Sequence, residues 1–181
     1  MKLSLLLLLI AYSQIGFSQD NSFQKKIEKL PQIKEMPYAP ELSGDSIYWV
    51  IIKEGLKVIP SLIEKLSDTT ITEATVPVFG GYYTMADIAN RAIYDIIRDI
   101  PTLDFVVKSN NSAGGFWYYW DYVRGGYTNR LMFQAKVKLW FEQNKINLVW
   151  KEDNGIYRAD KDWKFKSLKH PAGGYYVLKR D

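Results

Sequence analysis

Few residues in this 181-residue chain are suited to nucleophilic or metal chemistry. The chain has one histidine, His170, and no cysteine, which excludes thiolate nucleophiles, disulfides and metal sites built from several histidines or cysteines. A catalytic histidine needs an oriented nucleophile or acid beside it, and no Gly-x-Ser-x-Gly elbow is present. We therefore expect His170 to be structural or simply exposed, and we predict no catalytic residue.

Carboxylate pairs are the second chemistry that the residue types allow. A glycosidase-type pair is available from the acidic residues of the second half, namely Asp121, Glu142, Glu152 and Asp153. Any chain with 20 acidic residues offers such pairs, so a hydrolase remains an alternative rather than the main prediction. The spaced acidic ligands of a calcium loop, a Walker loop and a dinucleotide fingerprint are all missing from the sequence. We predict neither a metal nor a cofactor.

Aromatic side chains are the unusual feature of the composition, with 13 Tyr, 8 Phe and 6 Trp making up 15% of the chain. The densest segment is residues 116–122, Phe-Trp-Tyr-Tyr-Trp-Asp-Tyr. On a helix Trp117 and Trp120 would share one face, while the tyrosines would lie on others. Because one apolar stripe cannot hold all these rings, some are expected to meet solvent, the N-terminal arm or a partner, unless the rest of the domain buries every face.

Glycine pairs precede an aromatic residue four times, at 80–82, 114–116, 125–127 and 173–175. Glycine turns of this kind could present rings to a sugar or a peptide, or the rings could pack back and anchor tight turns. Two of the pairs continue as Gly-Gly-Tyr-Tyr, at 80–83 and 173–176. These motifs and the dense segment give the predicted ligand-binding residues Tyr82, Tyr83, Trp117, Trp120, Tyr175 and Tyr176.

The N-terminus has the features of a signal peptide. Lys2 precedes an apolar run over residues 5–11, and the small residues Gly16 and Ser18 stand before Gln19. The run is shorter than the roughly 20 residues of a transmembrane helix. We predict removal of residues 1–18, export to the periplasm or the outside of the cell, and no transmembrane segment in the mature chain. The net charge of +4 is too small to indicate a nucleic-acid partner.

Residues 19–43 are predicted to be an extended lead-in that packs loosely on the domain. Its first part has the apolar spacing of a short amphipathic helix at Phe23, Ile27 and Leu30, which ends at Pro31. Pro37 and Pro40 then keep the chain extended, because proline disfavours helix in the residue before it.

The rest, residues 44–181, is predicted to be a single globular domain. Helix signals dominate residues 44–144, apart from an unusually long loop of about fifteen residues that is predicted before Thr84. Asp45 is a candidate N-cap, Gly55 a helix stop, and Thr84 and Asp87 a capping box.

The second half of the domain combines one long helix with strands. Two apolar stripes mark the helix after the Gly-Gly pair at 125–126: Leu131, Ala135 and Leu139 on one, and Phe133, Val137 and Trp140 on the other. Residues 145–181 are predicted to contain β structure, because Asn154-Gly155 between short apolar runs indicates a hairpin. The predicted fold class is therefore mainly α, with a small C-terminal antiparallel β element (α+β).

Residues 45–100 resemble HEAT-like helical repeats. The string Gly-x-x-x-Ile-Pro-x-Leu-Ile-x-x-Leu-x-Asp at 55–68 is similar to the second helix and exit of a repeat, and residues 84–89 are similar to the start of the next. This segment, combined with Asn129, Arg130 and Trp140, also resembles a family of small bacterial exported proteins. The resemblance implies stacked helices and carries no catalytic residue. At most two repeats are visible, whereas a solenoid needs about three.

These observations predict an exported, non-catalytic binding or interaction module, whose partner is expected to be a protein of the cell envelope. One alternative is a carbohydrate-binding protein that uses exposed aromatic rings. Another is a cell-envelope hydrolase that uses a carboxylate pair. A coplanar shelf of rings would favour the first alternative and a cleft with two close acids the second, whereas buried rings without a cleft would favour a protein partner.

Overall fold

Helices form the body of the protein, and short antiparallel strand pairs accompany them, which confirms the predicted α+β class. The computed structural model describes residues 21–37, 44–77, 80–102, 105, 119–153, 156–159, 165–168 and 170–180. The predicted signal peptide, residues 1–18, and Trp117 lie outside these ranges. Within them, none of the helices combines the length and the apolar character needed to cross a membrane.

In chain order, the α-helices are α1 (Asn21–Ile27), α2 (Ser46–Ile52), α3 (Ile59–Glu64), α4 (Met85–Ile96) and α5 (Tyr127–Asn144). Shorter helical turns are the 3-10 turns Leu30–Gln32, Gly55–Val58 and Lys145–Asn147 and the π-helical turn Tyr119–Val123. The strands are β1 (Ile71–Thr75), β2 (Tyr82–Thr84), β3 (Leu148–Glu152), β4 (Ile156–Ala159), β5 (Phe165–Leu168) and β6 (Gly174–Leu178).

The predicted start and stop signals of α2 are confirmed. The Asp45 carboxylate accepts a hydrogen bond from the backbone N–H of Ile47 at 2.8 Å, as an N-cap should. Gly55 has φ of +61°, a conformation that favours glycine, and it separates α2 from the turn that leads into α3. Pro60 lies in the first turn of α3, where a missing N–H has little effect.

Helix α4 is the centre of the fold. Its capping box is present, because Thr84 N–H donates to Asp87 Oδ2 at 2.7 Å and Asp87 N–H donates to Thr84 Oγ1 at 3.4 Å. Its apolar side chains are buried against α2 and α3. The fully buried ones include Ile88, Ala89, Ala92 and Ile93.

The lead-in does not pack loosely on the domain, so that prediction is wrong for the part of it that the structure describes. Ile27, Leu30 and Ile33 are completely buried, and Met36 is nearly so. Every third residue from Ile27 to Met36 is buried. This spacing continues past Pro31 because the 3-10 turn, and then the extended backbone after it, turn these side chains towards the core. Each such side chain removed from water contributes roughly 1.5–3 kcal/mol, so this segment is part of the core.

A β-hairpin occupies part of the segment between α3 and α4, where the sequence suggests only a long loop. Strand β1 pairs antiparallel with β2, with Ile71 opposite Thr84 and Thr75 opposite Tyr82. The inward positions of β1 are Thr72 and Ala74. Small and hydroxylated residues at these positions give a weak alternation signal, which explains why the strand is hard to predict.

The C-terminal strands pair differently from the predicted hairpin. Strand β3 pairs antiparallel with β6, and β4 pairs antiparallel with β5, so β3 and β4 are not partners. The Asn154-Gly155 turn itself lies outside the described residues. Trp150 and Tyr176 are directly opposite each other in the β3–β6 pair, with ring centroids 5.2 Å apart. This aromatic contact favours the non-local pairing over the local one.

Strand β6 is also joined to the C-terminal end of α4. Ile97 forms a parallel bridge with Tyr176, and Arg98 N–H donates to the Tyr176 carbonyl at 3.0 Å. Leu178 N–H donates to Asp99 Oδ2 at 2.9 Å. The last strand of the chain is therefore fixed to its central helix.

Candidate functional site

A buried carboxylate organises the N-terminal end of α4. The Asp87 cluster consists of Asp87, Tyr119, Arg124 and Arg130. Tyr119 Oη donates to Asp87 Oδ1 at 3.1 Å, and Arg124 Nε donates to Asp87 Oδ2 at 3.1 Å. Arg130 is 3% exposed and places its guanidinium 3.7 Å from the same carboxylate. The cluster ties α4 to the π-helical turn and to α5.

The electrostatics of the Asp87 cluster indicate an anchor rather than a proton-transfer site. Burial, and next to it the Asp87 charge, raises the pKa of Tyr119 well above its usual value. Tyr119 therefore remains a neutral hydrogen-bond donor. The carboxylate already accepts from a backbone N–H, a phenol and a guanidinium, which leaves little room for a substrate.

Three of the predicted ligand-binding residues are brought together beside this cluster. Arg124 Nη2 donates to the Tyr82 carbonyl at 2.8 Å, and its guanidinium lies 4.3 Å from the centre of the Trp120 ring. Tyr83 and Trp120 have ring centroids 5.9 Å apart at an interplanar angle of 52°. The rings are tilted against one another, and a guanidinium covers Trp120. They do not form a coplanar shelf.

Tyr175 and Tyr176 lie at the opposite end of α4, about 18 Å away along a 12-residue helix. The Tyr175 ring is 5.4 Å from the Arg98 guanidinium, which also stacks on Tyr94. Tyr176 contacts Trp150 edge-to-face and is partly buried against the core. The six predicted residues therefore do not form one site, because they divide between two ends of the helix and Trp117 is outside the described residues.

A second buried carboxylate lies at this C-terminal end of α4. The Asp95 cluster consists of Tyr48, Arg91, Asp95 and Arg98. Tyr48 Oη donates to Asp95 Oδ2 at 2.6 Å, and Arg91 Nε donates to the same oxygen at 3.0 Å. Arg98 Nη2 lies 3.6 Å from Asp95 Oδ1. Burial, and after it the Asp95 charge, raises the pKa of Tyr48 well above its usual value.

His170 packs close to the Asp95 cluster. The residue is 3% exposed, and its ring meets Trp49 edge-to-face with centroids 5.3 Å apart. Its backbone N–H donates to Asp153 Oδ2 at 2.8 Å. Of the two expectations for His170, a structural or an exposed residue, the structure supports the structural one.

The acidic residues considered for a hydrolase are either bonded to other groups of the protein or exposed on its surface. Glu142 forms an ion pair with Lys145, and Asp153 holds the His170 backbone. Asp121 and Glu152 are exposed on different elements. Across the described part of the chain, no group of three or more histidine and acidic residues is arranged to hold a metal ion.

The outward side of α5 is the most apolar exposed helix surface among the described elements. The α5 outer face consists of Tyr127, Leu131, Met132, Ala135 and Leu139, all exposed. Leu131 is 42% exposed and Leu139 is 59% exposed. The opposite side of the helix supplies Phe133, Val137 and Phe141 to the core. Of the two apolar stripes predicted from the sequence, one is exposed, and the other is buried at Phe133 and Val137 and partly buried at Trp140.

Comparison of the chain with known protein families, with curated proteins and with solved structures finds no match.

Proposed function

We propose that this chain is an exported, non-catalytic binding module, and that its partner is a protein of the cell envelope that docks on the α5 outer face. The exposed apolar stripe of α5 carries the proposal. Leu131, Ala135 and Leu139 recur every four residues, which forms a ridge that fits into the groove of another helix. We infer that the partner contributes an amphipathic helix to this contact.

The chemistry of the stripe favours a protein over a glycan. Sugar binding uses an aromatic platform with polar groups at its edge, whereas the α5 outer face is mainly aliphatic. Lys138 beside the stripe is paired with Glu64, and Lys136 donates to the Phe105 carbonyl. These bonds hold the lysine stems alongside the apolar ridge, so that the charged groups border the contact and leave its centre apolar.

The test is a double variant, Leu131→Asp with Leu139→Asp, in the mature protein. We expect it to fold normally, because both side chains are exposed, and to lose at least about tenfold in affinity for an envelope protein captured by the unmodified chain. Affinity is measured with the purified partner after cross-linking and identification by mass spectrometry. A matched control is Ile71→Asp, which changes a residue 67% exposed on β1 and should leave the affinity unchanged.

Two results would contradict this proposal. The first is a captured partner that binds the double variant and the control equally well. The second is saturable binding of an envelope glycan, followed by tryptophan fluorescence, that persists in the double variant. That second result would move the function to the aromatic residues near Trp120 or Trp150.

A further inference from the structure

The residues that precede β6 form a turn closed by the side chain of His170. The His170 turn is residues 170–173. Gly173 N–H donates to the His170 carbonyl at 2.7 Å, and Ala172 N–H donates to His170 Nδ1 at 3.3 Å. Asp153 N–H donates to the Gly173 carbonyl at 3.0 Å. The turn therefore links the end of β3 to the start of β6.

The hydrogen bond from Ala172 fixes the protonation state of the imidazole. A ring nitrogen that accepts a hydrogen bond carries no proton, so Nδ1 is unprotonated and the proton of the neutral ring is on Nε2. Nε2 is buried and has no hydrogen-bond partner among the described residues. The ring is thus held neutral, with Trp49 against it.

The charged groups around the ring come from two directions. Asp95, Arg91 and Arg98 approach from α4 and the residues just after it, and Asp153 approaches from the end of β3. Tyr48 on α2 is uncharged and bonded to Asp95. Burial is the largest effect and lowers the pKa of His170, and the arginines add to it, while the two aspartates oppose it.

We propose that the His170 turn is an acid-sensitive latch that holds the start of β6 against the end of β3 and against Trp49 of α2. A second proton on the imidazole must occupy Nδ1, where it faces the N–H of Ala172. An acceptor becomes a donor, so the hydrogen bond that closes the turn is lost. The same proton places a charge in a buried position, which burial disfavours more strongly than the nearby Asp95 and Asp153 favour it. Opening the turn relieves both penalties, and it frees the first residues of β6.

The sign of the pH dependence follows from the lowered pKa. The unfolded chain binds a proton near pH 6.5, whereas the closed latch binds it only at lower pH. The closed state is therefore fully stable above that pH and loses stability as the pH falls below it. One proton raises the opening equilibrium constant by at most about tenfold per pH unit.

The experiment is amide hydrogen exchange on the mature chain between pH 7.5 and 5, corrected for intrinsic exchange rates. Protection of the amides of residues 172–178 should fall on acidification, while that of the β1–β2 hairpin should not. The matched variant is His170→Asn, because an asparagine oxygen can accept the same N–H in an Asx turn without titrating. We expect its protection of residues 172–178 to be independent of pH over this range.

Because His170 is the only histidine, its NMR signals are assigned without ambiguity, and they test the latch even if the variant does not fold. The nitrogen shifts should show the Nε2–H tautomer at pH 7.5, and the titration midpoint should lie below that of the unfolded chain. A proton on Nδ1 at pH 7.5 would overturn the proposal. The proposal would also be overturned if the amides of residues 172–178 lost the same protection on acidification in His170→Asn as in the unmodified chain. A third contrary result is that acid unfolds the whole domain at once, without an earlier loss of protection in β6.

Discussion

Replacing Asp87 with alanine is expected to destabilise the protein by about 3–5 kcal/mol, the typical effect of removing one partner from a buried ion pair. Arg130 is almost completely buried, and without Asp87 it would keep a charge without its counter-ion. The change also removes one half of the capping box and the acceptor of Tyr119. Because a domain of this size is stable by only about 5–15 kcal/mol, urea denaturation should show a large fall in the unfolding midpoint.

Two control variants show how much of the destabilisation comes from the buried charge of Asp87 rather than from its hydrogen bonds or from the loss of any carboxylate. Asp121→Ala removes an exposed carboxylate from the π-helical turn and should change stability by less than about 0.5 kcal/mol. Asp87→Asn keeps an oxygen acceptor for Thr84 N–H but removes the negative charge. We therefore expect its loss of stability to lie between those of Asp121→Ala and Asp87→Ala. If Asp87→Ala cost less than about 1 kcal/mol, the cluster would not be the anchor described above.

Replacing Gly174 with alanine is expected to destabilise the protein by about 1–3 kcal/mol, the usual range for an overpacked position. A Cβ at this position would lie 2.3 Å from the carbonyl oxygen of Lys151 and 2.7 Å from the Trp150 ring. Both groups belong to β3, and the carbonyl cannot move away without disturbing the pairing with β6. Thermal unfolding measures the loss, and hydrogen exchange should locate it in β3 and β6.

The neighbouring glycine offers the matched control. Gly173 has φ of +84°, and among the described residues no heavy atom lies within 4 Å of the point that a Cβ would occupy. Asparagine tolerates positive φ better than other side chains, so Gly173→Asn should cost less than about 1 kcal/mol. If Gly174→Ala and Gly173→Asn lost equal stability, the close approach of residue 174 to β3 would not be the cause of the destabilisation.

The helix boundaries were the part of the fold most open to prediction, because local side-chain chemistry determines them. Asp45, Gly55 and the Thr84–Asp87 box each act on backbone groups within three residues. Strand pairing was predicted less well. The β3–β6 pair joins residues more than 20 positions apart, and its register depends on Gly174 and on aromatic contacts that no local pattern reveals.

The glycine pairs show why a repeated motif need not have a repeated role. Gly80 and Gly81 both adopt positive φ and face open space. Each of the other two described pairs contains a glycine required for steric reasons. One is Gly174, and the other is Gly125, where a Cβ would meet the Asp121 carbonyl at 2.7 Å. The same sequence signal therefore stands for a conformational requirement in one place and a packing requirement in another.

The candidate sites were also only partly visible in the sequence. The two apolar stripes of α5 could be read from their spacing, but which one faces solvent depends on the position of α3 and the π-helical turn beside it. The buried partners of Asp87 and Asp95 come from distant segments and carry no motif. The aromatic ligand-binding residues and the stacked helices implied by residues 45–100 remain predictions.

Segments near both ends of the described chain pack on α4, and this arrangement affects how fast the domain can fold. In a solenoid each repeat packs on its sequence neighbour, so folding can proceed along the chain. Here the turn Leu30–Gln32 and strand β6 both contact the central helix. Such distant contacts raise the contact order and slow folding. During synthesis from the N-terminus, the contacts of β6 with α4 can form only after residue 178 is available, so the packing around the central helix is completed late.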